Sequence, residues 1–559
     1  MRFWGFQEGG SRQENLWCQT VVLSFIGIVM ALTTAERGMA SSSLGETGFG
    51  EMAFCAALGP KHAGSEANRL MSDHILKIFE QSGLEAFTED FHLPVYETLQ
   101  ASLEIVSPEK FTPKAILTDY SEDADMEAEI VGLGEGGPKD YEGRDVQGKL
   151  ALVTRSRFYK QARLAKDHGA AGLLIVSTSP DNLVLRAAAT MARQLPLGIP
   201  VFSLGAQDGR RILGLLETGP VVARLLSHGV RKDAIGRNVF GVKRGARDPD
   251  HYVIVGAHYD SWVAGAVDNC SSVGGLLAIA GRLKDLDLPY TTILAAWDAE
   301  EIGLIGSIDF AMKHPESLAR TVLYENFEML SAVTYLSGRR LPLSISNLVF
   351  VTQSPLLRQT LREAFNEATY VPLMVPAPFV RVFAQGEIPT DMQTFYAGGV
   401  QSFSSYSSTP FYHTTEDTPD KIDPKSYDTA LKAFFGAFLR LESKPAKVLI
   451  DREVPLVRLV RAGERELRIT VLDPHGQPLE GQDVSVLITH NDHWPLLQGK
   501  ALEAGGGVYS FAIPQDLPQG PLWAEASLTT PIVSAAGYLE IDNQAERFRR
   551  NSWSPNGYH

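Results

Sequence analysis

Residues 293–307 read ILAAWDAEEIGLIGS. Five apolar residues run straight into an acidic cluster, Asp298, Glu300 and Glu301, and a stretch punctuated by glycine follows. The run is short, continuous and free of charge, which is the pattern of a strand buried on both faces of a sheet. Its acids then fall at the carboxyl end of that strand. Two further segments repeat the arrangement. HYVIVGAHYD (251–260) delivers His258 and Asp260, and RTVLYENFEML (320–330) delivers Glu325 and Glu328. Between these strands, SSVGGLLAIAGRLKDL (271–286) and GSIDFAMKH (306–314) read as helices. The alternation predicts an α/β domain with a mostly parallel mixed sheet flanked by helices. In such a sheet, ligands bind beyond the carboxyl ends of the strands.

Two loops add to that end. VDNCSS (267–272) supplies Asp268, and TPFYHTTEDTPDKID (409–423) supplies His413. Singly, each residue is ordinary: a loop histidine, a turn aspartate, acids favoured by a helix dipole. Jointly they are not. Strands with apolar interiors all change to acids and histidine at the same end, and negative charge gathered there costs energy unless a cation neutralises it. The three cysteines, Cys18, Cys55 and Cys270, include no CxxC pair, so a metal site must be built from His and carboxylates. With Cys18 in an N-terminal apolar run, at most one disulfide is expected. Cys270 reads as a small buried hydrophobe.

The ordered set GAHYDSW, VDNCSS, AWDAEEIGLIGS, NFEML and FYHTTEDT resembles the co-catalytic zinc peptidases. That family includes bacterial secreted aminopeptidases, glutamate carboxypeptidase II and the transferrin receptor, and the resemblance covers roughly 50–95 and 236–442. It implies two zinc ions per chain. His258 and Glu328 would hold one, Glu301 and His413 the other, and Asp268 would bridge them. It further implies peptide-bond hydrolysis by a metal-bridging water, with Glu300 as general base and Asp260 orienting His258. Zinc takes imidazole nitrogen and carboxylate oxygen at about 2.0–2.2 Å, and two metals about 3.5–4 Å apart can share one water and lower its pKa. A base must not be a ligand, so adjacent Glu300 and Glu301 must aim differently. Glu328 stands where the family commonly has Asp, and Glu325 is the competing assignment. The resemblance also implies a cis Asp268–Asn269 peptide.

The rest of the chain surrounds this centre. Leu16–Ala35 carries no charge, and predicts a signal peptide or N-terminal anchor within 1–40, with the bulk of the protein extracytoplasmic. SSSLGETGFG (41–50) reads as a linker, and residues 50–93 as the first part of the peptidase domain, with a helix ending at Gly83. Residues 94–235 form an α/β insert. Its GRDVQGKLALVTRSRFYKQARLAKDHGAAGLLIVS (143–177) and GIPVFSLG (198–205) resemble a protease-associated domain. Residues 236–445 are the main peptidase part, 447–545 an all-β sandwich with turns rich in Pro and Gly, and 546–559 a polar tail. HNDHW (490–494) in the sandwich reads as a polar hairpin loop rather than a second metal site.

A formal charge of −15 argues against a nucleic-acid binder. The expected partner is a peptide. DMQTFYAGGVQSFSSYSSTPFYH (391–413) has no Lys or Arg, which favours an aminopeptidase over an enzyme that clamps carboxylates. Arg381 upstream keeps a glutamate carboxypeptidase-like or dipeptidase activity as the alternative, and Tyr412 and Arg381 are the candidate substrate contacts. A non-catalytic receptor or scaffold of the transferrin-receptor type is the alternative from another class.

Overall fold

The computed structural model describes residues 43–154, 158–332, 334–336, 339–341, 347–384, 386–463, 465–518, 520–530 and 534–542. The N-terminal apolar run and the polar tail lie outside them. No helix among the described residues is long and apolar enough to cross a membrane.

The three strands that define the domain lie side by side and parallel. Asp248–His258 is flanked by Thr321–Phe327 and Tyr290–Trp297, with Val255 opposite Glu325 and Leu294. Every residue of Tyr290–Trp297 is buried, as its unbroken apolar run requires. Outward from Thr321–Phe327 come Ser402–Ser407, Asn347–Val351 and the edge strand Leu373–Pro376. Helices cover both faces. Glu66–Gln81, Ser271–Leu283 and Pro424–Glu442 pack on one face over Ile75, Leu276 and Phe434. Ile305–Lys313 and Met392–Ala397 pack on the other over Phe310 and Phe395. In the first of these helices Ile75, Ile78 and Phe79 are buried, but Leu70 is 51% exposed. Five positions before Ile75 put it about 140° round the helix and off the stripe.

The stretch read as a linker is in fact a helix. Leu44–Ala57 is capped by Ser43, whose hydroxyl accepts the Glu46 N–H while the Glu46 carboxylate accepts the Ser43 N–H. Small residues suggested a loop, yet Ser-x-x-Glu before an apolar run is a helix-start signal. The small residues serve close packing. A Cβ on Gly274 would sit 2.2 Å from the Gly48 carbonyl oxygen, so this helix and Ser271–Leu283 touch backbone to backbone. The contact brings Cys55 to Cys270, which form a disulfide with Cα atoms 5.5 Å apart. Cys270 is therefore half of a cross-link and not a free buried thiol. Nothing in the sequence pairs them across 215 residues.

The insert joins the domain by a two-stranded ribbon. Glu85–Ser107 pairs antiparallel with Val222–Lys243 from Glu85↔Val242 to Ser107↔Val222. One end of the ribbon continues the main sheet beside Tyr290–Trp297. The other end pairs with Ala124–Gly132, then the parallel strands Leu150–Val153, Gly172–Val176 and Val201–Leu204. Phe158–Asp167 is the helix ahead of Gly169, whose φ of +80° ends it in the left-handed region.

After Pro424–Glu442 come two four-stranded antiparallel sheets enclosing Val457, Ile469, Val486, Ile488, Ala524 and Leu528. HNDHW is the hairpin turn between Val484–His490 and Trp494–Lys500, but His493 in it is not a solvent-facing loop residue. It is fully buried, and its Nε2 lies 3.1 Å from Asp309 of helix Ile305–Lys313. Asp492 beside it pairs with Lys313 at 3.3 Å. The turn is thus a polar lock between the sandwich and helix Ile305–Lys313 of the α/β domain.

Candidate metal centre

Parallel strands deliver their carboxyl ends to one edge, so His258, the Asp298–Glu301 turn and Glu328 meet there. His258 Nε2 lies 3.2 Å from Glu328 Oε1, 3.4 Å from Asp268 Oδ1 and 3.8 Å from Glu300 Oε2. His413 Nε2 lies 3.0 Å from both Asp268 Oδ2 and Glu301 Oε2. Asp268 therefore sits between the two histidines with one oxygen towards each. The adjacent glutamates aim at different histidines. All these side chains are nearly or wholly enclosed.

Each imidazole is oriented through its other nitrogen. His258 Nδ1 is 3.1 Å from the Asp260 carbonyl and 3.3 Å from its carboxylate. His413 Nδ1 is 3.0 Å from the carbonyl of Arg186, a residue of the insert. A carbonyl can only accept, so each Nδ1 carries the proton. In the neutral ring Nε2 is then a lone pair aimed at carboxylate oxygens. Consistent with that, His413 Nε2, Asp268 Oδ1, Glu301 Oε1 and Glu328 Oε2 are buried and make no hydrogen bond among the described residues. The short His413 contacts have the distance of an ion pair but not the angle of a hydrogen bond. A cation between the groups resolves this arrangement.

The electrostatics record the same crowding. Burial alone lowers the pKa of both histidines, but Glu328 and Glu300 reverse this at His258 and hold it well above its ordinary value. At His413 burial is outweighed by Glu301 and Asp268, and the pKa rises to about 10. Burial pushes Glu301 and Glu328 up to about 7 against the pull of the histidines, and Glu300 well above the carboxylate range. Asp268 is pulled down despite its burial, because His258 and His413 both face it.

Asp260 does more than orient His258. Its two carboxylate oxygens accept the backbone N–H groups of Glu300 and Glu301, at 3.1 and 3.2 Å. Asp298 faces away from this cluster. It accepts from Asn68 and from the backbone of Ala299 and Arg237, at 2.8, 2.8 and 3.0 Å, and fixes the turn at the strand's end. The Asp268–Asn269 peptide is cis.

Glu325 is not a rival to Glu328. It lies in mid-strand opposite Val255 and Phe403, inside the core, and neither carboxylate oxygen has a hydrogen-bond partner among the described residues. Burial pushes it well above the carboxylate range, so it is a neutral acid in the fold. Glu325→Met is expected to stabilise the protein by about 1–3 kcal/mol, the cost of an unsatisfied buried polar group. A raised pKa favours the folded state fully below the unfolded value, and that contribution is lost as pH rises. The gain from the variant should therefore grow above about pH 4.3, the unfolded-chain value. Denaturant titrations across pH 4–8 read both, and a variant less stable than wild type at pH 7 would contradict the assignment.

Arg381 does not reach the centre. It lies on helix Ala377–Phe383, fully buried, with its guanidinium donating to Gln393 Oε1 at 3.0 Å and the Thr530 carbonyl at 2.9 Å. These bonds commit two of its donors to the helix Met392–Ala397 and to the sandwich, so the guanidinium is held at that interface and not offered to a substrate. Tyr412 does lie at the centre. Its ring stacks on His413 with centroids 3.6 Å apart, and burial with the nearby Asp268 and Glu301 pushes its hydroxyl pKa well up.

Sequence reasoning missed Lys61, Arg186 and Asp417. Lys61 is fully enclosed, donates to the Gly59 and Ala264 carbonyls at 2.9 and 3.0 Å, and is lowered to about pKa 8 by burial against the attraction of Asp417 and Asp260. A lysine between two glycines that adopt positive φ, Gly59 and Gly64, was the available signal. Asp417 was visible four residues after His413, but nothing in the sequence sets it apart from the other acids of TPFYHTTEDTPDKID.

Comparisons with known proteins agree with this arrangement. Residues 238–437 match the peptidase family M28 and residues 117–212 the PA domain. Probable glutamate carboxypeptidase VP8 of Zea mays is 26% identical over 343 residues, covering 48% of this chain and 48% of that protein. Aminopeptidase YwaD of Bacillus subtilis is 27% identical over 281 residues, covering 49% and 59%. The chain thus spans about half the length of the curated relatives it matches. Among solved structures, a peptidase M28 precursor from Shewanella amazonensis superposes with a TM-score of 0.58 at 21% identity, covering 77% of this chain and 98% of that one. A zinc aminopeptidase from Bacillus subtilis gives 0.56 at 22%, covering 72% and 97%. Residues 238–437 are therefore similar to the peptidase family M28, and the stretch that matches the PA domain, 117–212, lies in the chain between the helices Leu44–Ala57 and Glu66–Gln81 and the strand Asp248–His258.

Proposed function

We propose that the chain is a zinc-dependent exopeptidase that holds two zinc ions, one at His258 and Glu328 and one at Glu301 and His413, with Asp268 shared between them. The observation that carries this reading is Asp268 with one oxygen towards each histidine, where both rings commit Nδ1 to carbonyls and turn Nε2 inward. The donor set of imidazole and carboxylate suits zinc. Bound there, the ions would supply Lewis acidity and a water of lowered pKa.

The chain's own groups do the rest. Glu300 is held by its backbone to Asp260 and has its carboxylate beside the centre without being the near neighbour of either Nε2. It is the group to take a proton from the attacking water and pass it to the leaving amine. Its elevated pKa suits a group that must hold a proton in mid-reaction. Tyr412, stacked on His413, is the candidate substrate contact.

Aminopeptidase activity is the favoured form, since the segment before His413 brings no cation to the centre. One observation favours the carboxypeptidase or dipeptidase reading. Arg186 is exposed, its carbonyl accepts from His413 Nδ1 while its N–H donates to the His413 carbonyl, and its side chain has no hydrogen bond or ion pair among the described residues. Zinc stoichiometry on purified protein, with aminoacyl-anilides assayed against N-acyl dipeptides, tests both. Two zincs and anilide hydrolysis are expected. Cleavage of N-acyl dipeptides alone would move the assignment to the carboxypeptidase, and a metal-free inert protein would leave the scaffold reading. An extracytoplasmic location, secreted or held by an N-terminal anchor, is supported by the Cys55–Cys270 disulfide, which persists in oxidising compartments.

A further inference from the structure

Asp268 lies on the turn Ala266–Cys270, where Asp268 (φ −115°, ψ 93°) and Asn269 (φ −132°, ψ 26°) are not helical. The turn precedes helix Ser271–Leu283 and leaves three successive N–H groups pointing away from any helical partner. One residue takes all three. Asp417 Oδ1 accepts the Val267 N–H at 2.8 Å, its Oδ2 accepts the Asp268 N–H at 3.1 Å, and its carbonyl accepts the Ala266 N–H at 3.3 Å. Asp417 is fully buried.

Asp417 shares a turn with His413. Its own N–H donates to the Thr414 carbonyl at 3.0 Å, and Thr414 donates to Phe411 at 3.0 Å. His413 itself adopts a φ of +55°, so this turn is tightly wound. Gripping the Ala266–Asp268 backbone from that turn fixes the separation of His413 and Asp268. On its far side, His413 is tied to the insert by the two hydrogen bonds with Arg186, at 3.0 Å each way. Asn269 continues the chain of contacts towards the other zinc position. It accepts the Met329 N–H at 2.8 Å and donates to the Phe327 carbonyl at 3.1 Å, on either side of Glu328.

Resting on the zinc reading above, we propose that Asp417 is a positioning residue that presets the shared carboxylate Asp268 against His413, so that the two halves of the centre are assembled together. It uses the device that Asp260 uses on the opposite loop, one carboxylate holding two consecutive backbone N–H groups. Outer partners of this kind typically contribute 10–100-fold to metal affinity or activity. Asparagine cannot reproduce the grip, because its amide nitrogen would meet one of the two N–H donors.

The test is zinc competition against a chromophoric chelator on the full chain, with kcat and KM measured separately in excess zinc. Asp417→Asn is expected to bind zinc about 10–100-fold more weakly. In excess zinc its kcat should fall about tenfold or more, with KM within about threefold, because a misplaced Asp268 harms the transition state more than substrate binding. Asp417→Glu keeps both acceptors, and is expected to bind zinc more tightly than Asp417→Asn but more weakly than wild type. If Asp417→Asn fails to fold, Asp417→Glu decides, and wild-type affinity in it counts against the proposal. Zinc affinity and kcat both unchanged in Asp417→Asn would overturn the proposal while leaving the zinc reading intact. A wild-type chain that binds no zinc would remove both.

Discussion

Glu300→Gln is expected to retain the zinc content of the wild type and lose roughly 10²–10⁴-fold in kcat, the usual range for a general acid–base group. The amide keeps the size and shape of the side chain, so the fold should tolerate it. It cannot accept and return a proton. The critical comparison is with its neighbour. Glu301→Gln loses an oxygen 3.0 Å from His413, so it should lose zinc as well as turnover. His258, Glu300 and Glu328 also come close enough to one another to form a three-ligand group, so distance alone does not separate base from ligand. Metal content does. If Glu300→Gln loses zinc in step with activity, Glu300 is a ligand; if it retains more than about a tenth of wild-type kcat, it is not the base.

The fold around this centre was legible because its strands are buried on both faces. A continuous apolar run ending in acids or histidine can be read as a parallel strand with a site at its tip, and 253–258 and 293–297 behave so; 321–327 is parallel too, but its Glu325 is a mid-strand core residue and only Glu328 reaches the tip. The linear order of His258, Asp268, Glu301, Glu328 and His413 carried the rest. What remained illegible depends on contacts distant in sequence. Arg381 looked available because its neighbours are apolar and no acid stands nearby; its partners, Gln393 and Thr530, become visible only when the sandwich docks. His493 was ambiguous for the same reason, since Asp309 lies 184 positions away. The insert reaches His413 through the carbonyl of Arg186, and a backbone atom leaves no mark in the identity of a side chain. The helix Leu44–Ala57 was a different failure. Its capping box was present, but small residues kept for close packing against Gly274 gave it the texture of a loop.

Removing zinc is expected to abolish turnover and to lower stability together. The stripped centre brings Asp268, Glu300, Glu301 and Glu328 around two histidines with little solvent, so it can relax only by holding protons. That is what the raised pKa values express, about 7 for Glu301 and Glu328 and about 10 for His413. Zinc requires these ligands deprotonated. Its affinity should therefore climb as pH rises through about 7, and the zinc concentration for half-reactivation should fall between pH 6 and pH 8. Stability follows by linkage. Free zinc at about 100 times its Kd adds about 2.7 kcal/mol, which for a domain of this size shifts Tm by roughly 5–10 °C. The measurement is a thermal melt and an activity assay on protein dialysed against chelator, then titrated with zinc at several pH values. Two features must appear together: recovery of activity in parallel with Tm, and a midpoint that moves to lower zinc as pH increases. Activity that survives dialysis with the Tm unchanged would mean that the carboxylates and histidines neutralise one another without a metal. The buried polar atoms that find no hydrogen-bond partner among the described residues, His413 Nε2, Asp268 Oδ1, Glu301 Oε1 and Glu328 Oε2, argue against that outcome, because mutual neutralisation would have paired them.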